Sequence, residues 1–345
     1  MALALSSARL RVGSLEVDSR VFVAPMVGIT DAPFRQLARE LGAGLVSTEM
    51  VAAEGVIRGI PRVMSYLDFP QDVRPVGAQL VGGDPKAMAR AAQIAVQRGA
   101  DIVDVNLGCP VPKVTSRGSG AALACDVRRA ADVLGAMVRS VDVPVTAKMR
   151  IGWDHDSINA PELARALQDV GVAMVTVHGR TRNQKYKGSA DWNEIARVSD
   201  AVDIPVIGSG DVDDIGEIKA RVEAGVVDGV VIARGALGNL WRIRQASAYL
   251  ERGELVPDQT VEERLDLTRR HLQLLIDYYG EQRALVIGRK YVAWAIKGFN
   301  GASALRAEVA TLRTVADLDR IFDRAREAGL GPEGWFMPLF TSGEG

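Results

Sequence analysis

Over its first two-thirds the chain alternates short apolar runs with stretches of helical periodicity. The runs Val21–Ala24, Leu45–Thr48, Val76–Leu80, Ile102–Asn106, Val145–Met149, Ala173–His178, Val206–Gly208 and Gly229–Ile232 predict eight strands. Several are almost wholly apolar, as strands buried on both faces must be. Helical patterns lie between most of them. Asp84-Pro85 opens one helix with an N-cap and a proline in the first turn, and Asp126 and Asp214 are candidate N-caps of two more. Eight such repeats predict an α/β fold, the (β/α)8 TIM barrel. A doubly wound sheet is the competitor, but no Gly-x-Gly-x-x-Gly turn follows the first strand.

From about Val256 the pattern changes. Pro257 interrupts the chain, and helical periodicity at Val261–Tyr279, Leu285–Phe299 and Thr314–Ala328 predicts a small all-helical C-terminal domain. The expected division is a barrel over 1–250, a helical domain over 257–331 and a loose tail over 332–345.

A barrel collects its function at the C-terminal ends of its strands. The residues there are polar or glycine in nearly every case. Pro25-Met26-Val27-Gly28 follows the first strand and Gln79 closes the third. Asn106 and Cys109 follow the fourth, and Lys148 and Arg150 end the fifth. His178-Gly179-Arg180, Ser209-Gly210-Asp211 and Ala233-Arg234-Gly235 end the last three.

Composition narrows the classes. The chain has 345 residues, enough for one large domain and a small one. A net charge of −1 gives no global signal for nucleic acid, so any such signal must be local. The two cysteines, Cys109 and Cys125, make no metal-ligand cluster, so no metal and a reduced, cytoplasmic setting are expected. The N-terminal apolar run is too short for a signal peptide, and no segment approaches a membrane span. A monomer is expected, with the oligomeric state otherwise open.

The glycine loops after strands seven and eight, with Arg234, sit where barrels commonly bind phosphate. Lys148, on a strand of apolar neighbours, implies an anionic partner if it points inward, and an anionic reduced flavin is one candidate. Gln79 can both donate and accept, as a flavin or pyrimidine edge requires. His178 reads equally as a ligand to phosphate or substrate and as a satisfied structural histidine. Cys109 is a nucleophile, a general acid or a small buried hydrophobe. A free thiol, with a pKa of about 8.5, stays protonated at neutral pH, so proton donation needs no activation. Cys125, in Ala-Ala-Leu-Ala-Cys-Asp, reads as packing.

Linked motifs then carry a resemblance over almost the whole chain. They are Ala24-Pro25-Met26 with Thr30-Asp31 and Phe34-Arg35; Gly77-Ala78-Gln79-Leu80; Asn106 to Lys113; Lys148-Met149-Arg150 with Gly152-Trp153; and His178-Gly179-Arg180-Thr181-Arg182 with Gln184, Tyr186 and Asp191-Trp192. The sequence resembles the tRNA-dihydrouridine synthases, flavoenzymes that reduce uridine in tRNA, and among them the bacterial B-type subgroup. The resemblance implies FMN across the barrel mouth, lined by Pro25, Met26 and Val27, with Gln79 and Lys148 at its ring. It places Ser209, Gly210, Asp211, Ala233 and Arg234 at the ribityl phosphate end, and NADPH as reductant. Hydride would pass from flavin N5 to C6 of the uracil, Cys109 would protonate C5, and Asn106 would position the base. The family usually has asparagine where Ser209 stands, glycine where Ala233 stands and often histidine where Tyr291 stands. Ala233 can still bind through its backbone N–H if its φ is negative.

A tRNA partner requires a basic surface. Arg180, Arg182, Lys185 and Lys187 crowd the strand-six loop with Tyr186, and Gln282 to Arg306 holds Arg283, Arg289, Lys290, Lys297 and Arg306 with no acidic residue. On the helix Arg289–Phe299, Val292, Ala295, Ile296 and Phe299 make an inward stripe. Lys290, Trp294 and Lys297 then face the other way, with Trp294 either a stacking platform between cations or a partly buried ring on a solvated face. Two further readings stand: a flavin barrel acting on a free pyrimidine, and a catalytically silent RNA-binding module.

Overall fold

A computed structural model describes residues 9–70, 73–212 and 214–331. The expected tail, 332–345, lies outside the described residues. Eight parallel strands form the barrel: β1 (Val21–Val23), β2 (Val46–Ser47), β3 (Val76–Val81), β4 (Ile102–Leu107), β5 (Val145–Arg150), β6 (Met174–His178), β7 (Val206–Ser209) and β8 (Gly229–Ile232). Each pairs with its sequence neighbour, and β8 pairs with β1. The β1–β2 seam is closed more lightly, by a Phe22–Leu45 bridge in which the Val23 N–H donates to the Leu45 carbonyl at 3.1 Å. The expected TIM barrel is present, with strand ends shifted by a residue or so.

The predicted N-caps hold. Asp84 accepts from the Ala87 N–H at 2.8 Å, Asp126 from Arg129 at 3.0 Å and Asp214 from Glu217 at 2.9 Å. Each satisfies one orphan donor of its helix. One core lies between the strands and the outer helices. A second fills the barrel interior, where Val12 and Val17 pack against Phe22, Ile102, Met174, Ile207 and Val231. Those two valines come from an N-terminal hairpin, Leu10–Val12 with Leu15–Val17, which the strand pattern did not predict. It plugs the lower end of the barrel, so access is from the C-terminal ends of the strands.

The C-terminal unit holds four helices: Val261–Tyr279, Glu281–Ala295, Ala302–Ala310 and Val315–Ala328. The second begins four residues earlier than expected, because Gly280 at φ +78° turns the chain with no intervening loop. The third was missed; it is short, and only Leu305 and Val309 are buried, too few to set a period.

The seam has a backbone constraint. A Cβ on Gly44 would lie 1.9 Å from the Ser19 carbonyl oxygen, and no side-chain rotation relieves a backbone clash. Gly44→Ala is expected to cost about 3 kcal/mol. Thermal unfolding checks this; an unchanged melting temperature would show that the seam moves freely.

Candidate active site

At the open end of the barrel is a cavity of about 670 Å3, within the usual range for a small-molecule or cofactor site. Every residue expected to touch flavin lines it: Pro25, Met26, Val27, Gln79, Lys148, His178, Ser209, Gly210, Asp211, Ala233 and Arg234. So do Asn106, Cys109, Arg180, Lys185 and Tyr186. Arg182, Arg289, Lys290, Trp294 and Lys297 do not.

The floor is organised by Asp104, a buried carboxylate on β4 that the sequence reading did not single out. It accepts from Thr146 Oγ1 at 2.7 Å and from Gln79 Nε2 at 2.7 Å. A carboxylate only accepts, so Gln79 must turn its NH2 toward it. Gln79 Oε1 then accepts from Asn106 Nδ2 at 2.9 Å. Asn106 Oδ1 is left to accept from the backbone N–H of Cys109 at 2.8 Å and of Gly108 at 3.1 Å. The polarity of one buried group thus runs through two oriented amides to the cysteine loop. A charge in the middle of Ile-Val-Asp-Val-Asn-Leu was the available signal.

Cys109 is a free, half-buried thiol on the cavity wall. Its loop is tied down by Arg150, whose Nε donates to the Gly108 carbonyl at 3.0 Å and whose Nη1 donates to the carbonyls of Thr181 and Lys185, both at 2.9 Å. Burial lowers the Arg150 pKa to about 10. Cys125 corrects the packing expectation: it is exposed, with its thiol donating to the Ala121 carbonyl at 3.4 Å.

Lys148 rises from β5 above Asp104. Burial first, then Arg150, lowers its pKa to about 8, against the opposing pull of Asp104. His178 is pushed well down, by burial and by the surrounding Lys148, Arg150, Arg180 and Arg234, so it is neutral at physiological pH.

The loop after β6 folds back on the loop after β7. Arg180 is buried, and its Nη2 donates to Asp211 Oδ1 and Oδ2 at 2.7 and 2.9 Å and to the Gly188 carbonyl at 2.6 Å. Its Nη1 is buried with no hydrogen-bond partner among the described residues. Asp211 also accepts from the Ala190 N–H at 2.7 Å, which holds its carboxylate toward the protein. Gly210 is required: at φ +114°, a Cβ there would sit 2.7 Å from Ala190 Cβ and 3.0 Å from the His178 ring. Ala233 has φ −117°, the negative value that its expected backbone N–H role requires. At the rim Lys185 and Tyr186 are exposed, with the Arg234 guanidinium 4.3 Å from the Tyr186 ring centre. Arg182 stacks on Trp153 at 4.4 Å, beside the cavity.

The helical unit corrects one expectation. Val292, Ala295, Ile296 and Phe299 are buried, as the stripe predicted. The Lys290–Trp294 side, however, faces the barrel. Lys290 Nζ donates to the Gly28 carbonyl, and Trp294 lies edge-on to Tyr291 at 5.6 Å with its backbone against Gly238. Arg289 is spent on the Leu312 carbonyl at 2.8 and 3.2 Å. A helix between barrel and outer helices has two buried sides, which one apolar stripe does not reveal.

A sequence model described as Dihydrouridine synthase (Dus) matches residues 22–327. The chain belongs to the dihydrouridine synthase family. It is therefore an oxidoreductase. It is 41% identical over 301 residues to a probable tRNA-dihydrouridine synthase of Rickettsia bellii, covering 87% of this chain and 92% of that one. It is 38% identical over 326 residues to tRNA-dihydrouridine synthase B of Pseudomonas aeruginosa, covering 93% and 98%. Among solved structures, the old yellow enzyme homologue from Zymomonas mobilis aligns with a TM-score of 0.53 at 15% identity, over 73% of this chain and 94% of that one, a likeness of fold. Among the described residues no helix is long and apolar enough to cross a membrane, and no group of His, Cys, Asp and Glu could hold a metal ion.

The lowered Lys148 pKa gives a signed prediction. Between pH 8 and 10.5 the unfolded chain holds this proton and the folded chain does not, so stability rises with pH across that window. Below pH 8 both states are protonated and the cost of burying the cation is constant. Lys148→Met removes that cost. Measured by denaturant unfolding without ligand, wild type should gain on the variant by on the order of 2 kcal/mol from pH 7 to 10. Parallel curves would place the ammonium in solvent.

Proposed function

We propose that the protein is an FMN-dependent, NADPH-driven tRNA-dihydrouridine synthase that reduces the C5–C6 double bond of specific uridines in tRNA. The observation that carries this is the free Cys109 thiol, held by its own backbone N–H to Asn106, on the wall of a cavity that also gathers Gln79, Lys148 and a buried, unfilled donor of Arg180. Five cations around one cavity, Lys148, Arg150, Arg180, Lys185 and Arg234, suit a phosphorylated, anionic cofactor, and Arg180 Nη1 suits a phosphate oxygen. The names of the relatives supply tRNA as substrate.

In this reading Gln79 and Lys148 hold the flavin ring, and Pro25, Met26 and Val27 border it. Ser209, Gly210, Asp211, Ala233 and Arg234 frame the phosphate end, with His178 beside them. The chemistry a bound FMN would supply is hydride transfer, with NADPH as reductant, to C6 of the uracil. Cys109 Sγ gives its proton to C5 and is reprotonated from solvent, so that uridine, NADPH and a proton yield dihydrouridine and NADP+. Lys148, as an ammonium, stabilises negative charge in the cavity. Asn106 sets the approach of the base, and its bond to the Cys109 N–H fixes the donor relative to it. Lys185, Tyr186 and Arg182 at the rim meet the RNA around an unstacked uridine.

Incubation with NADPH and unmodified tRNA, followed by mass spectrometry, is expected to show uridines gaining two hydrogens. Cys109→Ala should keep its flavin and lose at least about a hundredfold in turnover, the usual range for removing a general acid. A flavin-loaded, NADPH-reducible protein that leaves tRNA unchanged would overturn the reading; activity on free uracil or orotate would replace it with a free-pyrimidine reductase.

A further inference from the structure

Three consecutive holds from the helical unit fall on one short loop of the barrel. After β1 the chain turns through Pro25-Met26-Val27-Gly28-Ile29-Thr30-Asp31. Lys290 Nζ donates to the Gly28 carbonyl, Tyr291 OH donates to the Ile29 carbonyl at 3.1 Å, and Tyr279 OH donates to Asp31 Oδ2 at 3.1 Å. From the barrel side, the Gly28 N–H donates to Glu49 Oε2 at 2.6 Å, and Glu49 is buried. Gly28 is thus gripped at both polar groups, by a carboxylate of the barrel and an ammonium of the helical unit. Inside the turn, the Met26 N–H donates to Thr30 Oγ1 at 3.1 Å, and the Ile29 and Thr30 N–H groups both donate to the Met26 carbonyl at 3.1 Å. The turn is therefore a closed unit whose outer end is held from the helical side. Met26 and Val27, at its tip, line the cavity, although Val27 is 69% exposed and has little packing of its own.

An exposed loop tip keeps a fixed shape only if its base is fixed. We propose that Lys290, supported by Tyr291 and Tyr279, is a positioning residue for the Met26–Val27 wall of the cavity, so that the helical unit completes the cofactor site as well as facing RNA. Its link to the cofactor rests on the flavin reading above; the clamp itself does not. The aromatic stack supports the grip, with Tyr291 4.1 Å from His271 and His271 5.8 Å from Phe34 of the helix that Asp31 caps. Tyr291 gives this chain a hydroxyl that reaches the Ile29 carbonyl.

The test compares wild type with Lys290→Met, Lys290→Arg and Tyr291→Phe in the full chain, without RNA. In flavin-free protein, hydrogen exchange at Met26, Gly28, Ile29 and Thr30 should speed up roughly tenfold in Lys290→Met, the loss expected for a charge-assisted hydrogen bond. Amides of β4 serve as the control and should not change. In the flavin-loaded protein the FMN dissociation constant should rise by about fivefold, a part of the same loss, and Lys290→Arg should restore most of it. Tyr291→Phe removes a single hydroxyl and should move both readings in the same direction; it stands in if Lys290→Met does not fold. Unchanged exchange at the turn overturns the clamp. Faster exchange with an unchanged FMN dissociation constant overturns the link to the cofactor. A Lys290→Met variant unchanged in both readings, and altered only in its KM for tRNA in a separate turnover assay, would overturn the proposal and return Lys290 to the role of an RNA contact. If wild type itself takes up no FMN, the flavin reading fails, and the exchange measurement still decides the clamp.

Discussion

A carboxylate buried in the floor of a barrel has to be satisfied, and much of the site follows from how this one is. Asp104 takes hydrogens from Thr146 and Gln79 and faces the ammonium of Lys148. Because it only accepts, it removes the rotational freedom of the Gln79 amide. Gln79 in turn fixes Asn106, and Asn106 fixes the backbone of Cys109. Burial raises the Asp104 pKa, while the hydrogen bonds and Lys148 pull against that rise. Without those partners the group would titrate or leave the core. The arrangement stores orientation: the thiol loop is set by a group three hydrogen bonds away.

The rest of the site is pinned by backbone carbonyls as much as by side chains. Arg150 joins the cysteine loop to the loop after β6, and Arg180 joins that loop to the one after β7. Each guanidinium spreads several rigid donors, which an ammonium cannot do. Loops that would otherwise be mobile are thereby joined around the cavity on three sides, and the helical unit grips a fourth loop, after β1. Precision at a barrel mouth comes from such ties between loops, since the strands fix only where each loop begins.

Much of the barrel was legible because its strands are buried on both faces and read as continuous apolar runs. The three aspartate caps were legible because capping is local. The N-terminal hairpin was not: its strands are three residues long, each with an exposed charged residue, Arg11 or Glu16, at its centre, which is too short to set a period. At the site, the chemistry-bearing side chains were placed by their position after a strand. What the sequence could not show was which polar groups are already used. Arg180, Arg289 and Lys290 all read as free cations, yet two of them are engaged with main-chain carbonyls and the third with both carbonyls and a carboxylate. Asp104 was overlooked for the reverse reason. A single charge inside a strand resembles an interruption, and only three dimensions show that Gln79, Thr146 and Lys148 converge on it.

The protein carries a net charge of −1, but its cavity does not. Lys148, Arg150, Arg180 and Arg234 border it, against the carboxylates of Asp104 and Asp211, one of which lies beneath the floor and the other turned into its loop. The field adds to the effect of burial at His178, which burial first and then these cations keep neutral. A neutral imidazole can accept a hydrogen bond at one nitrogen and donate at the other, so His178 offers both without adding a further positive charge. Arg150 is held by backbone carbonyls, which satisfy its donors while leaving its charge in place, whereas Asp211 partly offsets Arg180 and Asp104 partly offsets Lys148. A concave surface of that kind concentrates anions even on a protein with almost no net charge. The same field reaches from the cavity floor to its rim, so a local excess of positive charge exists without a basic protein around it.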